Sequence, residues 1–351
     1  MFDGVLRVAV IDDSALYRQM ILNVLGRIAG VEVVGTAADG DAAVELVARA
    51  RPDVITLDVQ MPGRDGIEVL RALRQRGLAP RSIMVSSLTA QGAPATVAAL
   101  MEGAFDAILK PAGVDPHVSR ELIQRELSEK LNAVRESMAV SPAGATLLPP
   151  PQKMPPRPAL GTRFDCVVIG TSTGGPQALR AVIPLLPVGL PAAVLVVQHI
   201  PAQFTSSLAE RLDSGSRLRV VEATEGMTVE SGRVLLAPGG MHLGVGRRGE
   251  QIFCVLDDGP RRHGCRPSLD HLLESAAATY GSKVLAIVLT GMGCDGAEGC
   301  RAVRERGGRV IAQAAEGCVV FGMPKAVIMA GLADEIVPLE QVAATVIGHF
   351  G

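Results

Sequence analysis

Along the first third of the chain, short all-apolar runs alternate with stretches whose apolar residues recur every three or four positions. The runs Val5–Ile11, Val54–Asp58, Ile83–Ser86 and Ala107–Lys110 read as buried strands, with a weaker strand at Val31–Gly35. Between and after them, Asp41–Arg51, Ile67–Gln75 and Ala95–Glu102 carry helical spacing, and a longer helical pattern runs from Pro116 to about Met138. Alternation of this kind predicts an α/β doubly wound sheet of parallel strands, whose functional groups gather at the strands' carboxyl ends.

The pattern stops between Ser141 and Leu160. Seven prolines in that stretch remove backbone donors and favour extended conformations, so 140–162 reads as a linker between domains 1–139 and 163–351. A proline-rich recognition ligand is the alternative reading. Beyond it, strands at Cys166–Gly170, Ala193–Gln198, Lys283–Thr290 and Arg309–Ala312 restore the alternation, while Val234–Ala237 and Ile252–Leu256 read as a short hairpin pair. The expectation is two doubly wound α/β domains with mainly parallel sheets, the second larger and carrying an antiparallel hairpin. There is no internal repeat.

With 351 residues, 48% of them hydrophobic and 20% charged, the chain has material for two cores. A formal net charge of −2 lacks the basic excess of a phosphate-backbone binder, which argues against a nucleic-acid partner. The N-terminus shows no basic–apolar–small signal pattern, and no apolar run approaches the roughly 20 residues of a membrane span. A cytoplasmic protein without membrane insertion is expected. The six cysteines form no C-x-x-C pair and read as reduced, mostly buried thiols; Cys294, in a glycine-rich stretch, is at most a minor candidate nucleophile.

Three carboxylates fall at predicted strand ends in the first domain, Asp12 and Asp13 after the first strand and Asp58 closing the third. Parallel strands would make them converge, and clustered carboxylates call for a hard cation such as Mg²⁺. Ser86 and Lys110 end the next two strands. An acidic strand end taken singly is often only a helix cap. Together, IDDS, LDVQMPGRDG, MVSS and GAFDAILKP resemble the receiver domain of two-component response regulators, from about Val5 to Leu131. The resemblance implies a flavodoxin-like fold with Asp58 as phosphoacceptor, Mg²⁺ held by Asp12, Asp13 and Asp58, and Ser86 and Lys110 on the phosphoryl group. A histidine kinase would supply the phosphate. One position departs from the pattern: Ala107 stands where receivers usually carry an aromatic residue, which bears on the signalling movement.

In the second domain, strand Cys166–Gly170 runs into TSTGGPQAL, a tight glycine turn with Pro176 at the start of a helix. A hydroxyl there lies near helix-terminal N–H groups that can stabilise an oxyanion, and Ser172 is the leading nucleophile. Phosphate-loop and dinucleotide patterns are absent, and a plain N-cap serine is the bland alternative. His199 ends the buried strand AAVLVVQHI, and Asp295 follows KVLAIVLT. Serine, histidine and carboxylate thus share one sheet edge, in an order that differs from the Ser–Asp–His of α/β-hydrolases. His117, His263, His271 and His349 read as structural, with metal ligation the minority alternative; His242, in a glycine-rich loop, could lie near the site.

The segments GTSTGGPQAL, VVQHIPAQFTSSLAERL, LLAPGGMHLGV, RPSLDHLLESAA, VLTGMGCDGAEG and VIAQ resemble the catalytic domain of the CheB family of chemotaxis methylesterases, from about Phe164 to Val337. The resemblance implies a Rossmann-like hydrolase with catalytic Ser172, His199 and Asp295, and Thr173 and Met292 beside the oxyanion. The substrates would be glutamyl methyl esters of methyl-accepting chemoreceptors, with glutamine deamidation as a second activity. Mg²⁺ would serve the receiver alone, and the esterase reaction would need no cofactor. His271 and Leu273 depart from the family's usual valine and phenylalanine, changes expected to tune helix packing. Rival readings are a phosphorylation-dependent binding module, a transcriptional regulator, and a hydrolase of a different ester.

Overall fold

The computed structural model describes residues 4–87, 89, 92–111, 115–139 and 164–350. The chain divides into two compact units, Met1–Ala139 and Val140–Gly351. The expected linker, 140–162, lies outside the described residues.

The first unit alternates β1 (Leu6–Ile11), α1 (Ala15–Leu25), β2 (Val31–Ala37), α2 (Gly40–Ala50), β3 (Val54–Asp58), α3 (Gly66–Gln75), β4 (Arg81–Ser86), α4 (Gly92–Met101), β5 (Asp106–Leu109) and α5 (Pro116–Ala139). Its sheet is wholly parallel in the order β2-β1-β3-β4-β5. The inner strands are near-continuous apolar runs because helices cover both faces; every residue of β3 is buried. Helix α3 begins where the polar LDVQMPGRDG loop ends. There Asp65 and Glu68 form a reciprocal capping box, each side chain accepting from the other's backbone N–H. The order reverses at β1, so the crevice between β1 and β3 opens at their carboxyl ends, where Asp12 and Asp58 lie.

The second unit runs β6 (Cys166–Thr171), α6 (Gly175–Val182), β7 (Ala193–Gln198), α7 (Ala202–Gly215), β8 (Arg219–Glu222), β9 (Arg233–Leu236), β10 (His242–Arg248), β11 (Gln251–Asp257), α8 (Leu269–Tyr280), β12 (Val284–Val288), α9 (Ala297–Glu305), β13 (Arg309–Gln313), α10 (Met323–Met329), β14 (Glu335–Val337) and α11 (Leu339–Gly348). Seven strands make one parallel sheet, β14-β13-β12-β6-β7-β9-β8, and β10 with β11 makes a separate antiparallel ribbon. Strand β6 has β7 on one side and β12 on the other, the switch point of this sheet.

The hairpin pairing expected from the sequence is corrected here. Val234–Ala237 does not pair with Ile252–Leu256: its residues are buried on both faces, and β9 lies between β7 and β8 inside the parallel sheet. The true partner of β11 is β10, whose Gly244 and Gly246 hid its strand character. Gly246 sits opposite Phe253, and a Cβ there would come within 2.9 Å of the ring. The ribbon packs on α8, and through α8 it shapes the site described next. The cysteines also depart from expectation, since only Cys166, Cys254 and Cys300 are buried while Cys294 is exposed.

Candidate active site and acidic site

In the first unit, Asp12 and Asp58 converge on Lys110, whose Nζ lies 2.8 Å from Asp12 Oδ2 and 2.6 Å from Asp58 Oδ2. All three side chains are buried; Asp13 is exposed, and the three carboxylates offer oxygens within 4.8 Å of one another. Two opposing effects act on these groups. Burial raises the Asp58 pKa, and the Lys110 ammonium only partly offsets this. Burial alone would lower the Lys110 pKa, yet the two carboxylates outweigh it and raise it. One ammonium pairs with two carboxylates of a cluster of three, so negative charge is in excess.

Asp12 Oδ2 is buried and accepts no directed hydrogen bond, its contact with Lys110 being an ion pair alone. Such an oxygen, with two more carboxylates at hand, fits a hard divalent cation. A cleft bounded by Asp13, Gln60, Met61, Asp65 and Ala95 opens at this edge. Ser86 does not reach Asp58 here: its Oγ lies 2.6 Å from Thr96 Oγ1 of α4, and its other partners are the carbonyls of Ser87 and Gly92. Ala107 is buried opposite Met84 in the sheet.

In the second unit, Thr171 and Gln198 are register partners at the ends of β6 and β7, so Ser172 and His199 are the next residues on adjacent strands. The His199 N–H donates to the Thr171 carbonyl at 3.0 Å. The Gln198 amide ties the two chain segments together, donating to the carbonyls of Ser172 (2.9 Å) and His199 (3.0 Å) while accepting from Thr171 Oγ1 (2.6 Å). This packing is close enough to dictate glycine. A Cβ on Gly175 would lie 1.8 Å from Gln198 Oε1, and one on Gly291 would lie 2.8 Å from Ser172 Cβ.

Asp295 enters from the loop after β12. His199 Nε2 lies 2.8 Å from Asp295 Oδ2, and both side chains are almost wholly buried. The carboxylate also accepts from Ser268 Oγ (2.7 Å), Leu269 N (2.7 Å) and Asp270 N (3.1 Å), the start of α8. Burial alone would raise the Asp295 pKa, but His199 and these donors outweigh it and hold the carboxyl well below the usual range. Burial alone would likewise lower the His199 pKa; Asp295 and the Cys265 sulfur outweigh it and hold it at about 10. The second ring nitrogen, Nδ1, lies 3.6 Å from Cys265 Sγ. Among the described residues, the Ser172 hydroxyl makes no hydrogen bond to His199, whose two nitrogens are both engaged.

Thr173 is buried, with its carbonyl accepting from Thr290 Oγ1, and Met292 lies half-buried in the adjoining loop. His242 is buried near the same edge, accepting from Ser268 N through Nδ1 and donating to the Pro260 carbonyl, and it stacks on His271 at 4.8 Å. Leu273 is core, against Gly299 of α9. Sequence reasoning missed Gln198, Cys265, Ser268 and Asp270. For Gln198 the signal was present, a lone amide ending an apolar strand. Asp270 is fully buried, accepts from the N–H groups of Gly296 and Gly299, and pairs with His263 at 2.9 Å. His263, Asp270 and Asp295 also offer three ligand atoms within 4.8 Å of one another. Each of these is already engaged by hydrogen bonds within the protein.

Fold and sites define a hydrolase that carries a response-regulator receiver domain. A family model described as CheB methylesterase matches residues 167–346, and one described as response regulator receiver domain matches residues 8–121. The chain is 44% identical to the protein-glutamate methylesterase/protein-glutamine glutaminase of Thermotoga maritima over 345 residues, covering 97% of this chain and 98% of that one. It is 43% identical to protein-glutamate methylesterase/protein-glutamine glutaminase 5 of Myxococcus xanthus, covering 98% of each. The crystal structure of the Thermotoga maritima CheB methylesterase catalytic domain matches with 48% identity and a TM-score of 0.52, covering 53% of this chain and 98% of that domain. The chain belongs to the CheB methylesterase family. No helix among the described residues is long and apolar enough to cross a membrane.

Proposed function

We propose that Ser172 attacks the side-chain carbonyl of a glutamyl methyl ester on a methyl-accepting chemoreceptor, with His199 as base and Asp295 as its anchor. The observation that supports this best is the buried His199–Asp295 pair, set one register step from Ser172. His199 takes the serine proton as the Ser172–acyl bond forms, then returns it to the departing methanol; water repeats the sequence in reverse and frees the carboxylate. Taking that proton requires Nδ1 to leave the Cys265 sulfur and to give up the proton that its raised pKa otherwise keeps on the ring. Thr173 and Met292 lie beside the position of the developing oxyanion. An amide in place of the ester would release ammonia by the same steps, so glutamine deamidation fits the same groups. Each step is assigned to this chain's own residues, and no cofactor enters the esterase reaction.

In the same proposal, residues 1–139 act as a receiver, 140–162 as a linker and 163–351 as the esterase, in the cytoplasm. Asp58 accepts a phosphoryl group from a chemotaxis histidine kinase, with Lys110 pairing to it and Ser86 leaving Thr96 to bond it. Mg²⁺, held by Asp12, Asp13 and Asp58, would neutralise charge during that transfer. The test is methanol release from methylated chemoreceptor membranes. Ser172→Ala should lower it by roughly 10³-fold or more; undiminished release from the folded variant contradicts the assignment.

A further inference from the structure

Cys265 reaches His199 by way of a tight turn. Arg262 and Cys265 exchange backbone hydrogen bonds of 3.0 and 2.8 Å, and the two residues between them, His263 and Gly264, have φ of 50° and 77°. Two left-handed central residues make a type I′ turn, a conformation uncommon for a residue other than glycine, although histidine enters it more readily than most. The His263 Nε2 contact with buried Asp270 supports it. So anchored, the turn sets Cys265 Sγ 3.6 Å from His199 Nδ1 and 3.7 Å from the His263 carbonyl. Cys265, His199 and Asp295 form a continuous thiol–imidazole–carboxylate chain, the arrangement that activates cysteine nucleophiles.

A second such chain runs beside it, with Cys294 Sγ 3.7 Å from His263 Nδ1 and His263 on Asp270. Exposure favours Cys294, but electrostatics do not. Partial burial and the Asp270 and Asp295 carboxylates push the Cys294 thiol pKa up. Both sulfurs lie against an imidazole, but only Cys265 lies against the histidine beside Ser172, and that placement singles it out.

We propose that Cys265 is a modification site for peroxides, and that its oxidation to a sulfenic acid halts hydrolysis, because an S–O–H group holds the imidazole nitrogen Ser172 requires more firmly than the weak S–H donor it replaces. This rests on the reading of His199 as the base for Ser172. With the shared proton on His199 Nδ1, sulfur attacks one peroxide oxygen, an S–O bond forms and the O–O bond breaks. The departing hydroxide takes that proton and leaves as water. Sulfur loses two electrons and the peroxide gains them; a thiol reductant reverses the change.

The full-length protein is treated with hydrogen peroxide, sulfenic acid is trapped with dimedone and located by peptide mass spectrometry, and methanol release is followed in parallel. Cys265 should label about tenfold faster than Cys294, release should fall in proportion, and dithiothreitol should restore it in untrapped samples. Cys265→Ser and Cys265→Ala should each keep, after peroxide, whatever release they had before it. His199→Gln should slow labelling of Cys265 by about tenfold without changing that of Cys294. Equal peroxide loss in the Cys265 variants and the parent, or labelling that favours Cys294, overturns the proposal. Ser172→Ala separates the two readings: persistent methanol release from it refutes the nucleophile, whereas Cys265 labelling is read by mass and does not depend on Ser172.

Discussion

The acidic site of the first unit and the His–Asp site of the second sit at equivalent places, the carboxyl-end switch points of parallel sheets, yet their charges are treated in opposite ways. Asp295 is saturated: one imidazole, one hydroxyl and two backbone N–H groups surround a single carboxylate. Asp12 and Asp58 share one ammonium, Asp13 adds a third carboxylate beside them, and a buried oxygen of Asp12 has no directed donor. A saturated carboxylate is fixed equipment that orients its neighbour throughout the reaction. An unsaturated cluster is poised to change partners, taking a cation and a phosphoryl group that alter its charge.

Four variants break or sharpen this contrast. The largest effect is expected for Asp295→Asn, which keeps the shape but loses the charge that orients and stabilises His199. Methanol release should fall by about 10⁴-fold, and Mg²⁺ should not restore it. Next is Lys110→Met, which strands two buried carboxylates. It should destabilise the first unit by about 3–5 kcal/mol in denaturant unfolding, and here Mg²⁺ should recover part of the loss. An unchanged midpoint would mean that the carboxylates are not strained against one another.

Ser268→Ala removes one of several donors to Asp295. Loss of a hydrogen bond to a charged group costs about 1.5–3 kcal/mol, so release should fall by roughly ten- to a hundredfold, well short of Asp295→Asn. The smallest effect concerns pH. The His199 pKa is raised from 6.5 to about 10, so its stabilising contribution is complete below 6.5 and is lost as pH rises toward 10. The stability difference between the parent and His199→Gln in urea unfolding should therefore narrow over that interval; a constant difference would show that the pair is not ionised.

The same contrast governs what could be read from the sequence. Residues that close strands, Asp12, Asp58 and Lys110 in one unit and Ser172 and His199 in the other, stand out because an apolar run ends abruptly in chemistry. Asp295 was visible for the same reason, one turn beyond its strand. The groups that hold Asp295 were not visible. Ser268 and Leu269 lie in a segment 26 or more residues away that reads as an ordinary capped helix, and only the folded chain brings its first N–H groups onto the carboxylate. Cys265 occupies a turn, where periodicity carries no information. Strand β10 escaped because its glycines answer to tertiary contacts, Gly246 to Phe253 and Gly244 to His271 and Ser275, a demand that overrides strand propensity.

The most direct test of the account is methanol release from methylated chemoreceptor membranes with and without Mg²⁺ and a small-molecule phosphodonor, comparing the intact protein with Asp58→Asn. The account predicts that release by the intact protein rises only when both are present, and that Asp58→Asn shows no rise. Equal stimulation of the two proteins would contradict it, because the acidic site would then not be where the signal enters.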